Sequence, residues 1–168
     1  MSTYALTIIE PQLSRIIAGE LTTLWRVGIQ MQAYSPGDLL WIREPFYLPK
    51  SKAHLAPSSA AARGVTPIYA ADLTPDSPAP EGWLGPLMKA RSMPRAWHRQ
   101  HLLIEAVDHT RRLHSITPDE MAAQGFAHLN HFIGWWNKAA SLAGPAFRWD
   151  LNPLVTAITF ARIGAPLP

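Results

Sequence analysis

Arginine is the most frequent basic residue in this sequence, and its side chain can bind anions. Eleven of the fifteen Lys and Arg residues are arginines, and the planar guanidinium group suits bidentate recognition of phosphate. Between positions 86 and 114 six basic side chains are accompanied by only two acidic ones, Glu105 and Asp108. The six are Lys89, Arg91, Arg95, Arg99, Arg111 and Arg112. This segment predicts a surface that binds an anion, and the alternative is a solvated surface that keeps the protein soluble.

One tryptophan of this segment is a candidate stacking platform. Trp97 stands between Arg95 and the pair His98 and Arg99, and aromatic rings beside cations bind single-stranded bases. Arg91, Arg95 and Arg99 would align if the segment were helical. Trp41 lies within a Leu-Leu-Trp-Ile run, which is more typical of a core. The predicted binding residues are Arg26, Arg43, Arg91, Arg95, Trp97, His98 and Arg99.

Metal and serine chemistry have weaker signals. His98 and His101, like His128 and His131, are one helical turn apart, but no acidic residue completes a zinc-binding pattern. The chain has no cysteine, so thiolate metal ligands and a cysteine nucleophile are excluded. No serine stands in a Gly-flanked nucleophile elbow. We therefore expect no metal and no cofactor.

Arg26 and Arg43 lie in the first half of the chain, so the helices and strands predicted there decide where these two side chains lie. Apolar residues at helical spacing predict a short helix over 11–18, with Gly19 as its cap. Residues 22–27 and 39–43 are rich in β-branched and aromatic side chains and predict two strands. Pro/Ala-rich loops are predicted near 45–65 and 73–90.

The second half alternates extended and helical patterns. A brief strand is predicted over 68–71, and the mixed apolar pattern of 101–113 predicts one bent strand. Thr117, Pro118 and Glu120 form the signature of a capped helix that ends at Gly125. A helix over 128–140 and a closing strand over 154–163 follow. The order predicts an α+β fold with flanking short helices, in one domain over 1–168.

Composition limits the remaining classes. With 168 residues, of which 48% are hydrophobic and 16% are charged, the chain can fill one core. No apolar stretch is long enough to span a membrane, and the N-terminus lacks the layout of a secretory signal. We expect a cytoplasmic protein with no membrane partner.

Several segments, in one order along nearly the whole chain, resemble the ASCH superfamily, in particular its phage and prophage branch. These segments are Ile16-Ile17-Ala18-Gly19, Arg26-Val27, Tyr34 to Glu44, Tyr69-Ala70-Ala71-Asp72, Met93-Pro94-Arg95 with Trp97, Ile116 to Glu120, and Trp149-Asp150. The resemblance implies a small PUA-like β-barrel, related to RNA-binding and modified-base-binding domains. It also implies that the Met-Pro-Arg segment lies beside the ligand cleft.

Some members of the ASCH superfamily are hydrolases of acetylated cytidine, and these look as though they use a Lys and a Thr just after the Ala-Gly turn and a Glu near the end of the capped helix. The positions that match this trio are Leu21, Leu24 and Gln124, and none of these side chains can transfer a proton at neutral pH. Thr22 and Thr23, with Glu20 beside them, leave a rearranged site open.

Three functions remain. The favoured one is a module that binds RNA, a nucleotide or a modified base in a basic cleft. The alternative is a hydrolase of a modified nucleoside, or a ribonuclease, at the same cleft. The third is a protein whose barrel binds a protein partner, which the sequence does not identify.

Overall fold

A computed structural model describes residues 1–164 as a mixed α/β protein with eight strands in two sheets and four α-helices. The strands are β1 (Thr3–Thr7), β2 (Thr23–Arg26), β3 (Leu39–Arg43), β4 (Phe46–Pro49), β5 (Ile68–Tyr69), β6 (Leu84–Met88), β7 (His101–Arg112) and β8 (Leu154–Ile163). The helices are α1 (Gln12–Ala18), α2 (Pro57–Ala62), α3 (Pro118–Ala123) and α4 (Leu129–Ala140). The predicted α+β class is confirmed.

The first sheet has five strands in the order β1-β3-β7-β8-β2. β1 runs parallel to β3, and the other neighbours are antiparallel. The register of β7 against β8 shifts between Ile104 and Ala106 and again between Asp108 and Arg111, so the predicted bend in this strand is confirmed. Within residues 1–164 no pairing joins the edge strands β1 and β2, and the sheet is not closed into a barrel.

The second sheet has three strands in the order β5-β4-β6. β5 lies in the brief strand that was predicted over 68–71. The segments predicted as loops near 45–65 and 73–90 instead contain β4, α2 and β6. The sequence did not predict these elements because they contain prolines and a glycine, which are typical of loops. Pro86 is tolerated because β6 is an edge strand, and a Cβ atom at Gly85 would lie 2.8 Å from the Cβ atom of Ala53. The glycine therefore permits a close approach between β6 and the turn after β4.

The helices cover opposite parts of the first sheet. α1 buries Leu13 and Ile16 against the first sheet, and Gly19 ends it in a left-handed conformation, with φ of 76°. α4 buries Phe132, Trp136 and Ala140, at four-residue spacing, in a second cluster with β2 and β8. This packing brings α1 and the C-terminal half of α4 close to the open edges of the sheet.

α3 begins with the predicted cap. Thr117 accepts a hydrogen bond from the backbone of Glu120, and the Glu120 carboxylate accepts one from the backbone of Thr117. This capping box satisfies two amides that the helix itself leaves free. Hydrogen bonds from Arg15 to the carbonyl of Ala122 and from Gln124 to the carbonyl of Thr23 hold α3 beside the turn that connects α1 to β2.

Candidate functional site

A cavity of about 660 Å³ lies between the two edge strands of the first sheet. β1 and β2 are at opposite ends of the strand order, yet both line it, which means that the sheet curls. α1 and α4 supply the remaining walls. The lining residues that matter for binding are Gln12, Trp25, Arg26, Arg43, Trp135 and Trp136. The volume falls in the range of sites for small ligands.

Arg26 is held in place by a chain of buried amides. Its Nη1 donates to the carbonyl of Trp25 at 2.9 Å, and its Nη2 donates to Oε1 of Gln12 at 2.8 Å. The Gln12 amide donates in turn to Gln124, which donates to the carbonyl of Thr23. Both glutamines are buried. The chain orients the guanidinium group from behind and leaves its positive charge uncompensated.

No carboxylate within residues 1–164 forms an ion pair with Arg26. Burial lowers the pKa of Arg26 to about 10, and the nearby hydroxyl of Tyr34 acts in the opposite direction. The group is still cationic at neutral pH. A cation that is desolvated and faces only neutral partners favours an anion in the adjoining cavity.

Arg43 enters the same cavity from the end of β3. Its Nη1 donates to the carbonyl of Arg91 at 3.2 Å, and in the described part of the chain its buried Nε has no partner. Its guanidinium carbon lies 5.7 Å from the ring centre of Trp41. The structure therefore brings to one cavity two arginines that form no ion pair within residues 1–164.

Aromatic rings form much of the apolar wall. Trp136 donates from Nε1 to the carbonyl of Phe147 at 2.9 Å. The indole nitrogens of Trp25 and Trp135 are buried, and among residues 1–164 they have no hydrogen-bond partner. What the cavity offers a ligand is an apolar wall of indole rings and two guanidinium groups, which suit a flat ligand that carries negative charge.

Arg99 was predicted to bind the ligand, but its donors are occupied by carboxylates. Nε and Nη2 form a bidentate pair with Glu44, at 2.9 Å each, and Nη1 donates to Asp72 at 2.7 Å. Its guanidinium carbon stacks 3.8 Å from the ring centre of Tyr69. Burial opposes the charge, but the hydrogen bonds to Glu44 and Asp72 outweigh it and raise the pKa of Arg99 above its ordinary value. Arg99 stabilises the second sheet.

The prediction of Trp97 as a stacking platform is wrong. Its side chain is only 7% exposed and packs edge-on against Phe46, in the core of the second sheet. Its carbonyl accepts a hydrogen bond from the hydroxyl of Tyr69. A sequence that flanks a ring with cations does not show which way the ring points.

The other members of the predicted set lie outside the cavity. Arg91 and Arg95 are exposed, and two short 3₁₀ turns replace the helix that would have aligned them with Arg99. His98 is partly buried, and its ring contacts those of Trp41 and His101. Of the predicted binding residues, the cavity brings together Arg26 and Arg43.

A second, smaller cavity of about 290 Å³ is lined by two of the three positions that match the hydrolase trio. Leu21 and Gln124 line it, whereas Leu24 is fully buried in the core. Two carboxylates line this cavity, Asp119 and Glu120. Asp119 is exposed, and Glu120 is engaged by Arg111 and by its own cap. Burial alone would raise the pKa of Glu120, but the bonds from Arg111 and Thr117 outweigh it and lower the pKa.

The weak catalytic candidates are not assembled into a proton-transfer site. Glu20 forms an ion pair with Arg15 at 2.7 Å, and the Thr23 hydroxyl lies 3.3 Å from that of Thr159. Within residues 1–164 no hydrogen bond joins the Glu20 carboxylate to Thr22 or Thr23. Activation of a hydroxyl requires such a base within reach.

No group of three or more His, Cys, Asp or Glu side chains in residues 1–164 could hold a metal ion. No α-helix in this part of the chain has the length and apolar character that a membrane crossing requires.

Neither the protein-family models, nor the curated proteins, nor the solved structures compared with this chain give a match. The ASCH resemblance therefore rests on the sequence motifs alone, and the function has to be argued from the cavity.

Sequence reasoning missed the residues that support Arg26. Gln12 precedes Ile16 by one helical turn and so lies on the buried face of α1. A polar side chain on an apolar helix face was the signal that could have identified it.

Proposed function

We propose that this protein binds a nucleotide or a modified base in the cavity between β1 and β2, either free or as part of single-stranded RNA. The observation that carries the proposal is the pair of guanidinium groups, Arg26 and Arg43, at one largely apolar cavity without an acidic partner in residues 1–164. A phosphate would balance their charge, and a base would cover the indole wall.

We also propose that the fold is related to the PUA-like domains of the ASCH superfamily. The curled first sheet, whose two edges face one cavity, supports this relation, as do the sequence motifs around Gly19 and Asp38. In this view the open side of the sheet is the binding cleft, and α1 and α4 form its walls. The hydrolase alternative has less support, because among residues 1–164 no hydrogen bond joins a carboxylate or an amine to the hydroxyl of Thr22 or Thr23.

Calorimetric titration tests the binding. The ligands are nucleoside monophosphates, the matching nucleosides, inorganic phosphate and short single strands of RNA and DNA. We expect monophosphates to bind more tightly than nucleosides, because only they reach both the arginines and the indole wall.

Arg43→Gln is the informative variant, because Arg26 also holds the amide chain of the fold. We expect it to weaken monophosphate binding by about tenfold or more, as hydrogen bonds to charged groups contribute about 1.5–3 kcal/mol. Arg112→Gln is the matched control, since Arg112 also donates to one backbone carbonyl but lies outside the cavity. Equal affinity of Arg43→Gln and the parent protein, or no binding of any of these ligands, would overturn the proposal.

A further inference from the structure

The backbone of β1 is hydrogen-bonded to a neighbouring strand on one side only. β1 runs parallel to β3, and in such a pair every second residue of a strand bonds to its neighbour. The amide of Leu39 donates to the carbonyl of Ser2, and the amide of Ile8 donates to the carbonyl of Arg43, so the even-numbered residues of β1 pair with β3. The amides and carbonyls of the odd-numbered residues therefore point away from β3, and these residues are Thr3, Ala5 and Thr7.

Two of these three residues lie at the cavity between β1 and β2. Ala5 and Thr7 line it, whereas Thr3 does not. Both are partly buried, and within residues 1–164 the outward amides and carbonyls of Ala5 and Thr7 have no hydrogen-bond partner. The fold therefore borders the cavity with a short row of main-chain donors and acceptors that a ligand can use.

The facing edge, β2, has its outward carbonyls occupied. The carbonyl of Thr22 accepts a bond from β8, so by alternation those of Thr23 and Trp25 point away from β8. Gln124 and Arg26 donate to these two carbonyls with their side chains. A peptide strand inserted between the two edges would meet carbonyls on β2 that are already bonded. The edge of β1 is therefore the one that a ligand can read, and a ligand smaller than a strand is sufficient to do so.

The register of β1 against β3 places Ala5 at a short distance from Arg43. Thr7 is the register partner of Arg43, and Ala5 is the register partner of Trp41. Ala5 therefore lies two residues, about 6.6 Å, along the strands from the point at which Arg43 leaves β3. In a nucleotide the sugar separates the phosphate from the base, so a phosphate at Arg43 leaves the base within reach of Ala5.

We infer, on the basis of the proposed nucleotide site, that the backbone of Ala5 forms two hydrogen bonds with the Watson–Crick edge of a base. The outward amide and carbonyl of an extended residue lie side by side, and the pairing edge of a nucleobase likewise carries a donor next to an acceptor. The methyl side chain of Ala5 does not obstruct this approach. The ligand class is therefore an unpaired base whose Watson–Crick edge is unmodified. A base in a duplex, or one methylated on this edge, cannot form both bonds.

The first arm of the test compares ligands on the unchanged protein by calorimetric titration. The ligands are the common ribonucleoside monophosphates, the same compounds methylated at N1 of the purine or N3 of the pyrimidine, and ribose 5-phosphate. We expect methylation to weaken the tightest monophosphate by about tenfold or more, because the methyl group removes one hydrogen bond and blocks the approach that the other requires. Ribose 5-phosphate has no base and reports on the arginines alone.

The second arm removes the main-chain donor. Ala5→Pro deletes the outward amide without deleting a bond to β3, and proline is tolerated on an edge strand at such a position. We expect the affinity for the tightest monophosphate to fall by about fivefold, the scale of one neutral hydrogen bond, and the affinity for ribose 5-phosphate to stay the same. Thr3→Pro is the matched control, because it makes the same change on the same edge but outside the cavity. It should bind every ligand as the parent does.

The possible results separate this inference from the proposed function. Monophosphate binding that is equal in Ala5→Pro and the parent, that falls equally in Thr3→Pro, or that tolerates methylation of the Watson–Crick edge would overturn the inference and leave the nucleotide site in place. Failure of every monophosphate to bind the parent protein would overturn both. A far-ultraviolet circular dichroism spectrum like that of the parent should accompany each variant. If Ala5→Pro does not fold, the methylated ligands on the unchanged protein decide.

Discussion

Arginines in two regions of this molecule have opposite surroundings. In the second sheet, Arg99 donates to Glu44 and Asp72 and covers Tyr69. At the cavity of the first sheet, Arg26 donates only to neutral oxygens of Trp25 and Gln12. The first arrangement satisfies the charge within the fold, whereas the second leaves it available. The partners of an arginine, rather than its place in a basic run, therefore distinguish a structural from a binding role.

The largest expected effect comes from the paired arginine. Arg99→Leu leaves the Glu44 carboxylate, whose side chain has no solvent exposure, without its bidentate partner. Removal of one member of a buried ion pair costs about 3–5 kcal/mol, so we expect a loss of unfolding free energy on this scale in urea denaturation. Arg95→Ala, at an exposed position four residues earlier, should stay within about 0.5 kcal/mol of the parent. A loss below about 1 kcal/mol in Arg99→Leu would show that the pair does not hold the second sheet.

A smaller loss of stability is expected from a change in Gln12, the neutral side chain that holds the Arg26 guanidinium group. Gln12→Leu removes the acceptor of Arg26 and the donor to Gln124, and leaving such buried groups unsatisfied costs about 1–3 kcal/mol. Urea denaturation measures the loss of stability, and calorimetry with a nucleoside monophosphate measures the loss of affinity. Gln32→Leu, at an exposed position, is the control. If Gln12→Leu were as stable as the parent and bound the ligand equally, the amide chain would not position Arg26.

The smallest effect concerns His101, a titratable side chain at the start of β7 that lies outside the cavity. His101 is almost fully buried, and within residues 1–164 neither ring nitrogen has a hydrogen-bond partner. Burial, with smaller contributions from His98 and Arg95, lowers the pKa of His101. The unfolded chain therefore binds the proton more readily, and stability should fall as pH decreases through about 6.5.

His101→Phe should flatten this dependence between about pH 7 and pH 5, measured as the thermal midpoint at each pH. The same change at His128, which is exposed at the start of α4, should leave the slope as it is. A slope that persists unchanged in His101→Phe would assign the pH dependence to other groups.

Much of the fold could be predicted, because local signals agreed with the tertiary structure. The capping box at Thr117, the buried spacing along α4 and the mixed pattern of β7 each led to the right element. β4 and β6 were missed because they contain Pro49, Gly85 and Pro86, residue types that are typical of turns and loops. Only the approach of Ala53 explains why a glycine is needed in β6.

The candidate site was predictable in part. Arg26 and Arg43 could be assigned to one cleft because each lies in a strand of the first sheet. Trp97 and Arg99 could not be assigned correctly, since their roles depend on Phe46, Glu44 and Asp72 in distant parts of the sequence. Composition shows that a segment is basic, but only tertiary contacts show which charges are already balanced.

The most direct test of the central claim is to locate the bound nucleotide through the indole N–H signals in a two-dimensional nitrogen–proton spectrum. Addition of a nucleoside monophosphate should shift the signals of Trp25 and Trp135, because both residues line the cavity. The signals of Trp83 and Trp97 should stay in place, and Trp→Phe variants assign each peak. If the shifts fell on Trp97 while Trp25 and Trp135 did not respond, the ligand would lie on the second sheet and the cavity would not be the binding site.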